Sequence, residues 1–211
     1  AEWTAGIVLV VLLAWMPVLS ADDQVVELVS QVQTAGACTS VAVEGDYAFL
    51  VDGKTLRILS VSTPTAPAPV GTLTLSITTP VQEVAVWDGV ACLACAADGL
   101  KIVDVSRPAQ PVLDGTYRPT SFSARYVAMR NGLAYVGNSG SPASLVIVDP
   151  AGPDQLGSYA TGAPISHVFA SGNFVFVTST TAAKGLQIID VSNPSLPSLR
   201  GTFPTATAAE C

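Results

Sequence analysis

The stretch that decides the fold is residues 186–194, which read LQIIDVSNP and are the last copy of a line that occurs four times. The earlier copies are residues 56–64 (LRILSVSTP), 100–108 (LKIVDVSRP) and 145–150 (LVIVDP). Each copy joins apolar residues typical of a strand to a turn that contains proline. Recurrence of one line at a fixed distance indicates a repeat of about 43 residues.

Two further landmarks recur in the same order in every repeat. The first is a hairpin around Gly45-Asp46, Asp88-Gly89, Asn131-Gly132 or Gly172-Asn173, all of them residue types that accept a positive φ. The second is a Gly-Thr or Gly-Ser pair at Gly71, Gly115, Gly157 and Gly201. Each repeat thus contains four strand signals, which is the content of one propeller blade. We divide the repeats as 34–75, 76–119, 120–162 and 163–211.

These residues resemble a known family. Residues 145–149 spell LVIVD, and residues 100–111 and 186–197 keep the longer form of the line, with Asp, Val, Ser and two prolines. The LVIVD repeat is found in surface propellers of bacteria and archaea. The resemblance implies an all-β four-bladed propeller over residues 34–211 and an extracellular setting, and it carries no catalytic residue. We expect the four blades to close into a small ring whose channel is filled by side chains.

The N-terminal segment differs from the repeats. Residues 6–19 carry no charge, and the apolar residues of 24–33 follow a helical period. The sequence predicts one helix over about residues 3–33, kinked at Pro17. Three interpretations compete: a secretory signal peptide, a membrane anchor that is short for the roughly 20 residues needed to span a bilayer, or an assembly helix.

The chain begins at Ala1 rather than at Met, and this favours the assembly helix. Residues 1–33 resemble the N-terminal helix of type IV pilins, including archaeal-type pilins that lack the glutamate of the bacterial subtype. The resemblance implies that copies of the chain polymerise through this helix. The filament core would then contain Ile7, Val8, Val11, Leu12, Trp15, Leu19, Val25, Leu28 and Val29.

Composition excludes several functions. The net charge is −7 and only nine residues are Lys or Arg, so a nucleic-acid partner is not expected. The single histidine, His167, begins a strand, and we interpret it as a surface residue rather than as part of a catalytic triad. No residue pattern indicates a metal, a cofactor or an enzyme. Asp104, Asp149 and Asp190 recur at one blade position, either as a ring of calcium ligands or, as we favour, as acceptors of backbone N–H groups in a turn.

The four cysteines allow disulfides in an extracellular protein. Cys92 and Cys95 lie in a strand, where residues three apart face opposite ways, and we interpret them as buried thiols; the alternative is a disulfide made possible by a bulge after Cys95. Repeat phase places Cys211 just before the position where a fifth repeat would begin, and Cys38 just before the start of the first. In a closed four-bladed ring these positions coincide, which predicts a Cys38–Cys211 disulfide at the seam.

Two functions are consistent with these features. The first is a structural subunit of an extracellular pilus-like filament, a homopolymer with a helical core and the propeller displayed outside. The alternative is an anchored or secreted surface propeller that acts as an adhesin or ligand-binding module, with an unknown surface ligand or glycan. Neither needs a cofactor.

Overall fold

The computed structural model describes residues 7–8, as backbone, and residues 27–206. The described residues form strands joined by turns and irregular connections. The first two strands are short and pair antiparallel: β1 (Ile7–Val8) and β2 (Val32–Gln33). The remaining strands form four antiparallel sheets of four strands each, which we call blades 1 to 4.

The strands of each blade follow one another in sequence and in space. Blade 1 contains β3 (Cys38–Glu44), β4 (Tyr47–Asp52), β5 (Thr55–Ser60) and β6 (Ala68–Thr74). Blade 2 contains β7 (Glu83–Trp87), β8 (Val90–Ala94), β9 (Leu100–Asp104) and β10 (Val112–Tyr117). Blade 3 contains β11 (Ala124–Arg130), β12 (Leu133–Asn138), β13 (Ser144–Asp149) and β14 (Asp154–Ala160). Blade 4 contains β15 (Ile165–Ser171), β16 (Phe174–Ser179), β17 (Leu186–Asp190) and β18 (Ser198–Phe203).

The hairpin turns of blades 2 and 3 have two residues with positive φ, whereas those of blades 1 and 4 have one, Gly45 at 55° and Gly172 at 57°. Asp88 and Gly89 both have positive φ, at 46° and 76°, and so do Asn131 and Gly132, at 52° and 77°. Two successive residues in this region form the type I′ turn, whose twist matches that of the flanking strands. The recurring dipeptides therefore fix the register of the hairpins.

The core lies between the blades. The period of two along each strand sends alternate side chains to the two faces of a sheet. In blade 2, Leu93 packs toward blade 1, whereas its neighbours Cys92 and Ala94 pack toward blade 3. Three apolar clusters result, one in each of the gaps between blades 1 and 2, 2 and 3, and 3 and 4.

The predicted N-terminal helix is wrong. Val32 and Gln33 form β2 and pair with β1, and residues 7–8 and 27–206 contain no helix. Val32 also packs against the buried Leu50 and Leu59 of blade 1. Val32 is β-branched, which suits a strand, and its pairing and packing outweigh its place in the helical spacing. In the part of the chain that is described, no helix has the length and apolarity needed to cross a membrane.

The four blades form an open arc instead of the closed ring that we expected. The innermost strands lie side by side, β3 against β7, β7 against β11, and β11 against β15. Among the described residues, β15 makes no comparable contact with β3, and no apolar cluster joins blade 4 to blade 1. The sequence therefore predicts the blades correctly but not their closure.

Candidate functional site at the blade axis

One residue from each innermost strand occupies the same repeat position, immediately before the first valine of the hairpin. These residues are Ser40, Glu83, Tyr126 and His167, and we call them the axial cluster. His167 Nε2 lies 3.6 Å from Glu83 Oε1, although the two residues belong to blades 4 and 2. The centroid of the Tyr126 ring, in blade 3, lies 6.1 Å from the centroid of the His167 ring. The arc thus brings a carboxyl, a phenol and an imidazole together.

The axial cluster also links consecutive blades. Val84 N–H donates to Ser40 Oγ at 3.2 Å, and Val127 N–H donates to Glu83 Oε2 at 2.6 Å. The innermost strand of a blade has one unpaired edge, whose N–H groups need acceptors when they are buried. Ser40 and Glu83 supply these acceptors to the next blade, so their side chains have a fixed position.

The environment of Glu83 changes its acidity. Burial raises its pKa to about 7, although the hydrogen bond from Val127 N–H acts in the opposite direction. Burial disfavours the charged form of a carboxyl group. At neutral pH Glu83 is therefore partly protonated, so the group can both donate and accept hydrogen bonds. A partly buried carboxyl with a perturbed pKa beside an imidazole marks a candidate binding site.

The sequence analysis missed this site although it contained the signal. His167 is partly exposed, as expected for a surface residue, but it contacts Glu83 and Tyr126. Alignment of the four hairpins places all four axial residues in one column. Because these four residues differ in chemistry, the sequence analysis treated their positions as unrelated. Equivalent positions on the innermost strands nevertheless lie close to one axis.

The recurring aspartates have the structural role that we favoured. Ser106 N–H donates to Asp104 Oδ1 at 2.9 Å, and Ala151 N–H donates to Asp149 Oδ1 at 3.0 Å. Asp190 Oδ1 accepts from Ser192 N–H at 2.8 Å. Each carboxylate caps the turn that follows its strand. Within the described residues, no group of three or more His, Cys, Asp or Glu side chains is arranged to hold a metal.

Cys92 and Cys95 are buried free thiols, which confirms that interpretation. They face opposite sides of blade 2, Cys92 toward blade 3 and Cys95 toward blade 1. Burial raises the pKa of each thiol to about 12, so neither is a reactive nucleophile at neutral pH. Cys38 is also a free thiol and is half-buried. Cys211 lies outside the described residues, and the predicted Cys38–Cys211 disulfide is not supported, because Cys38 is a free thiol and the open arc removes the seam on which the pairing was based.

Of the nine residues assigned to a filament core, the four that the structure describes do not form a helix. Ile7 and Val8 form β1, while Leu28 and Val29 lie in an exposed irregular segment. The other five lie outside the described residues: Val11, Leu12, Trp15, Leu19 and Val25. The described part of the segment therefore gives no support to a helical core.

A polar cleft lies between blades 2 and 3, on the side of blade 3 where β12 ends and β13 begins. It encloses about 200 Å³ and is lined mainly by hydroxyl and amide groups. Tyr117 Oη donates to Gln155 Oε1 at 2.6 Å across the gap. Ser121, Asn138 and Ser158 also line the cleft. The cleft is smaller and more polar than the usual small-molecule pocket of roughly 300–1,000 Å³, so it has room for a small polar group only.

Sheets of four antiparallel strands, arranged side by side about an axis, define the class as β-propeller blades. The LVIVD repeat family matches residues 35–74, 80–118 and 165–205, more than half of the chain. The chain belongs to this family. The third repeat is outside the match but forms blade 3 with the same strand order. No curated protein matches the sequence.

Solved structures share the fold at low sequence identity. The β-propeller domain of Myceliophteria thermophila Cps50 (Swd1) is 14% identical, with a TM-score of 0.65 over 81% of this chain and 59% of that one. The RRP9 WD40 repeats are 12% identical, with a TM-score of 0.68 over 83% and 57%. The computationally designed Ika4 protein is 11% identical, with a TM-score of 0.57 over 74% and 91%. The chain thus spans little more than half of the first two structures.

Proposed function

We propose that the protein is an extracellular surface propeller that binds a ligand at the axial cluster. The contact between Glu83 and His167 beside Tyr126 is the observation that carries this proposal, because a channel with only a packing role would be filled by apolar side chains. The pilus-like filament, the first of the two functions predicted from the sequence, depended on a helix over residues 3–33 and is not proposed here. The extracellular setting is inferred from the LVIVD repeats and from the low content of charged residues.

The chemistry of the site suits a polyhydroxyl ligand such as a glycan. A partly protonated carboxyl and an imidazole can each donate or accept hydrogen bonds to sugar hydroxyls. The Tyr126 ring adds an apolar face for stacking, and Tyr combines an apolar body with a polar tip. The polar cleft near Tyr117 and Gln155 could hold a small polar group of an extended ligand. A net charge of −7 disfavours polyanionic partners.

The test is binding of the labelled protein to an array of immobilised neutral glycans. We expect a defined subset of glycans to bind, and we expect Glu83→Gln and His167→Ala to weaken binding at least about tenfold. Glu44→Gln is the matched control, because Glu44 also lies on an innermost strand and accepts N–H groups of the next blade, from Asp88 and Gly89. Binding that is absent, or equally reduced by Glu44→Gln, would contradict the proposal.

The extracellular setting has its own test. Protease added to intact producing cells should degrade the propeller, whereas a cytoplasmic marker should survive. Survival of the propeller until the cells are lysed would refute the surface location and leave the axial site to be tested on purified protein.

A further inference from the structure

Blade 4 carries an apolar face that no blade covers in the described structure. Phe169, Phe174 and Phe203 are 59%, 40% and 69% exposed. The same repeat positions in blades 1 to 3 pack against the next blade. They are Ala42, Tyr47 and Leu73 in blade 1, Ala85, Val90 and Tyr117 in blade 2, and Ala128, Leu133 and Tyr159 in blade 3. The exposed face is therefore one half of a blade interface.

The glycines of the Gly-Thr and Gly-Ser pairs also show that the face of blade 4 is uncovered. A Cβ added at Gly71 would collide with the carbonyl oxygen of Pro108 in the next blade, and one at Gly157 would collide with that of Pro194. At Gly115 the Cγ of Pro153 would lie 3.0 Å away. At Gly201 a Cβ would meet nothing within 4 Å. Glycine at this position allows the proline turn of the next blade to approach closely. In blade 4, no described residue contacts the equivalent position.

On blade 1 the complementary half is exposed only along the innermost strand; on its middle strands Ala48, Leu50 and Leu59 are 0%, 1% and 4% exposed, and Val32 packs against this cluster. Val41 and Val43, on its innermost strand, are 42% and 49% exposed, whereas Val84 and Val127, equivalent to Val41, are buried against the preceding blade. Blade 1 also has its own proline turn at Pro64, whose carbonyl oxygen accepts from Ser30 Oγ at 2.6 Å. The chain thus contains both halves of one further blade interface: the half on blade 4 is open, and the half on blade 1 is partly covered by the segment around Ser30 and Val32.

The curvature of the arc indicates what would join them. More than 80% of the chain superposes on Cps50 and RRP9, of which it covers 59% and 57%. Four blades therefore fill between half and three-fifths of each of those structures. An arc of four blades with this curvature can be completed by a second arc of four, because propellers close with four to eight blades.

We propose that two copies of this chain associate head to tail, blade 4 of each on blade 1 of the other, and close a ring of eight blades. The same interface then forms twice about a two-fold axis, so the association stops at a dimer. The docking blade contacts Val41 and Val43 and displaces the segment around Ser30 and Val32, which packs on the middle strands β4 and β5 and binds the Pro64 carbonyl. The two axial clusters then face one channel.

The test is the mass of the full 211-residue chain in solution, measured by light scattering and sedimentation velocity. The wild type should have twice the 21.6 kDa mass of one chain. Gly201→Val should leave the blade folded, because its added atoms begin in open space, but should weaken dimerisation at least about tenfold by blocking the proline turn. Val43→Lys should do the same from the other half.

Leu113→Asp is the control. Leu113 is an exposed apolar residue on the outer strand of blade 2, a blade covered on both faces, so this variant should remain dimeric. A monomeric wild type would overturn the proposal. An oligomer that survives Gly201→Val would also overturn it, since association through the apolar N-terminal residues would not depend on blade 4. An oligomer that is lost in Gly201→Val but kept in Val43→Lys would refute the head-to-tail arrangement. None of these outcomes depends on ligand binding at the axis.

Discussion

At the residue scale, Glu83 has the feature of greatest consequence. Its carboxyl is held by Val127 N–H and faces His167, and burial raises its pKa to about 7. The folded protein therefore binds the Glu83 proton more tightly than the unfolded chain, in which the pKa is near 4.5. The stabilisation from this proton is complete below about pH 4.5 and is lost as the pH rises through 7.

We expect the free energy of unfolding of the wild type to fall between about pH 5 and about pH 8, with a contribution from Glu83 on the order of 2–3 kcal/mol. Glu83→Gln keeps an acceptor for Val127 N–H and removes the titration, so its stability should fall less. Urea unfolding at the two pH values measures the difference. Glu44→Gln should keep the wild-type pH dependence, and an equal fall in Glu83→Gln would show that another group is responsible.

At the scale of elements, Asp98 ties the connection between blades 1 and 2 to blade 2. Its Oδ2 accepts from Thr78 N–H at 2.7 Å, from Thr78 Oγ1 at 2.6 Å and from Thr79 N–H at 3.2 Å. The hydrogen bonds from Thr78 are the main cause that lowers the pKa of Asp98 to about 2. Its contribution to stability is therefore present above about pH 4 and is lost as the pH falls toward 2.

Asp98→Asn should lower the free energy of unfolding by about 2 kcal/mol, because an amide replaces a charged acceptor of several hydrogen bonds. Chemical denaturation at neutral pH measures this loss. Asp114→Asn is the comparison, since Asp114 is exposed on the outer strand β10 and should change stability little. If both variants unfold alike, the Asp98 network does not hold the connection.

The elements also show how far the sequence determines the structure. Blades and hairpins were predictable because each depends on local patterns, such as Asp88-Gly89 for a turn and alternation for a strand. The axial cluster was predictable in principle from the repeat alignment. The N-terminal helix was wrong because the packing of Val32 on blade 1 is a tertiary contact, and the spacing of apolar residues does not report it.

At the scale of the whole molecule, closure could not be predicted from the repeat count. Four repeats are enough for a small ring, but the angle between neighbouring blades decides whether the last blade meets the first. That angle is set by the packing of side chains in the three clusters between blades. The outward face of blade 4 nevertheless keeps the apolar character of an interface, at Phe169 and Phe203.

An open arc has unequal stability along its length. The stability of a repeat array is approximately the sum of the terms for each repeat and for each neighbouring interface. Blades 2 and 3 each have two complete interfaces, whereas blade 4 has one. In monomeric Gly201→Val, the amides of β17 and β18 should therefore exchange with deuterium at least about tenfold faster than those of β9 and β13.

Hydrogen exchange followed by mass spectrometry measures this gradient. In the wild type, the exchange of blade 4 should slow as the protein concentration rises, because a second copy covers its exposed face. The amides of blade 3 provide the internal comparison, since both faces of that blade are already covered. Equal protection of all four blades in the Gly201→Val monomer would mean that the ring closes on itself in solution. The outward phenylalanines of blade 4 would then be buried against the valines of blade 1 within one chain.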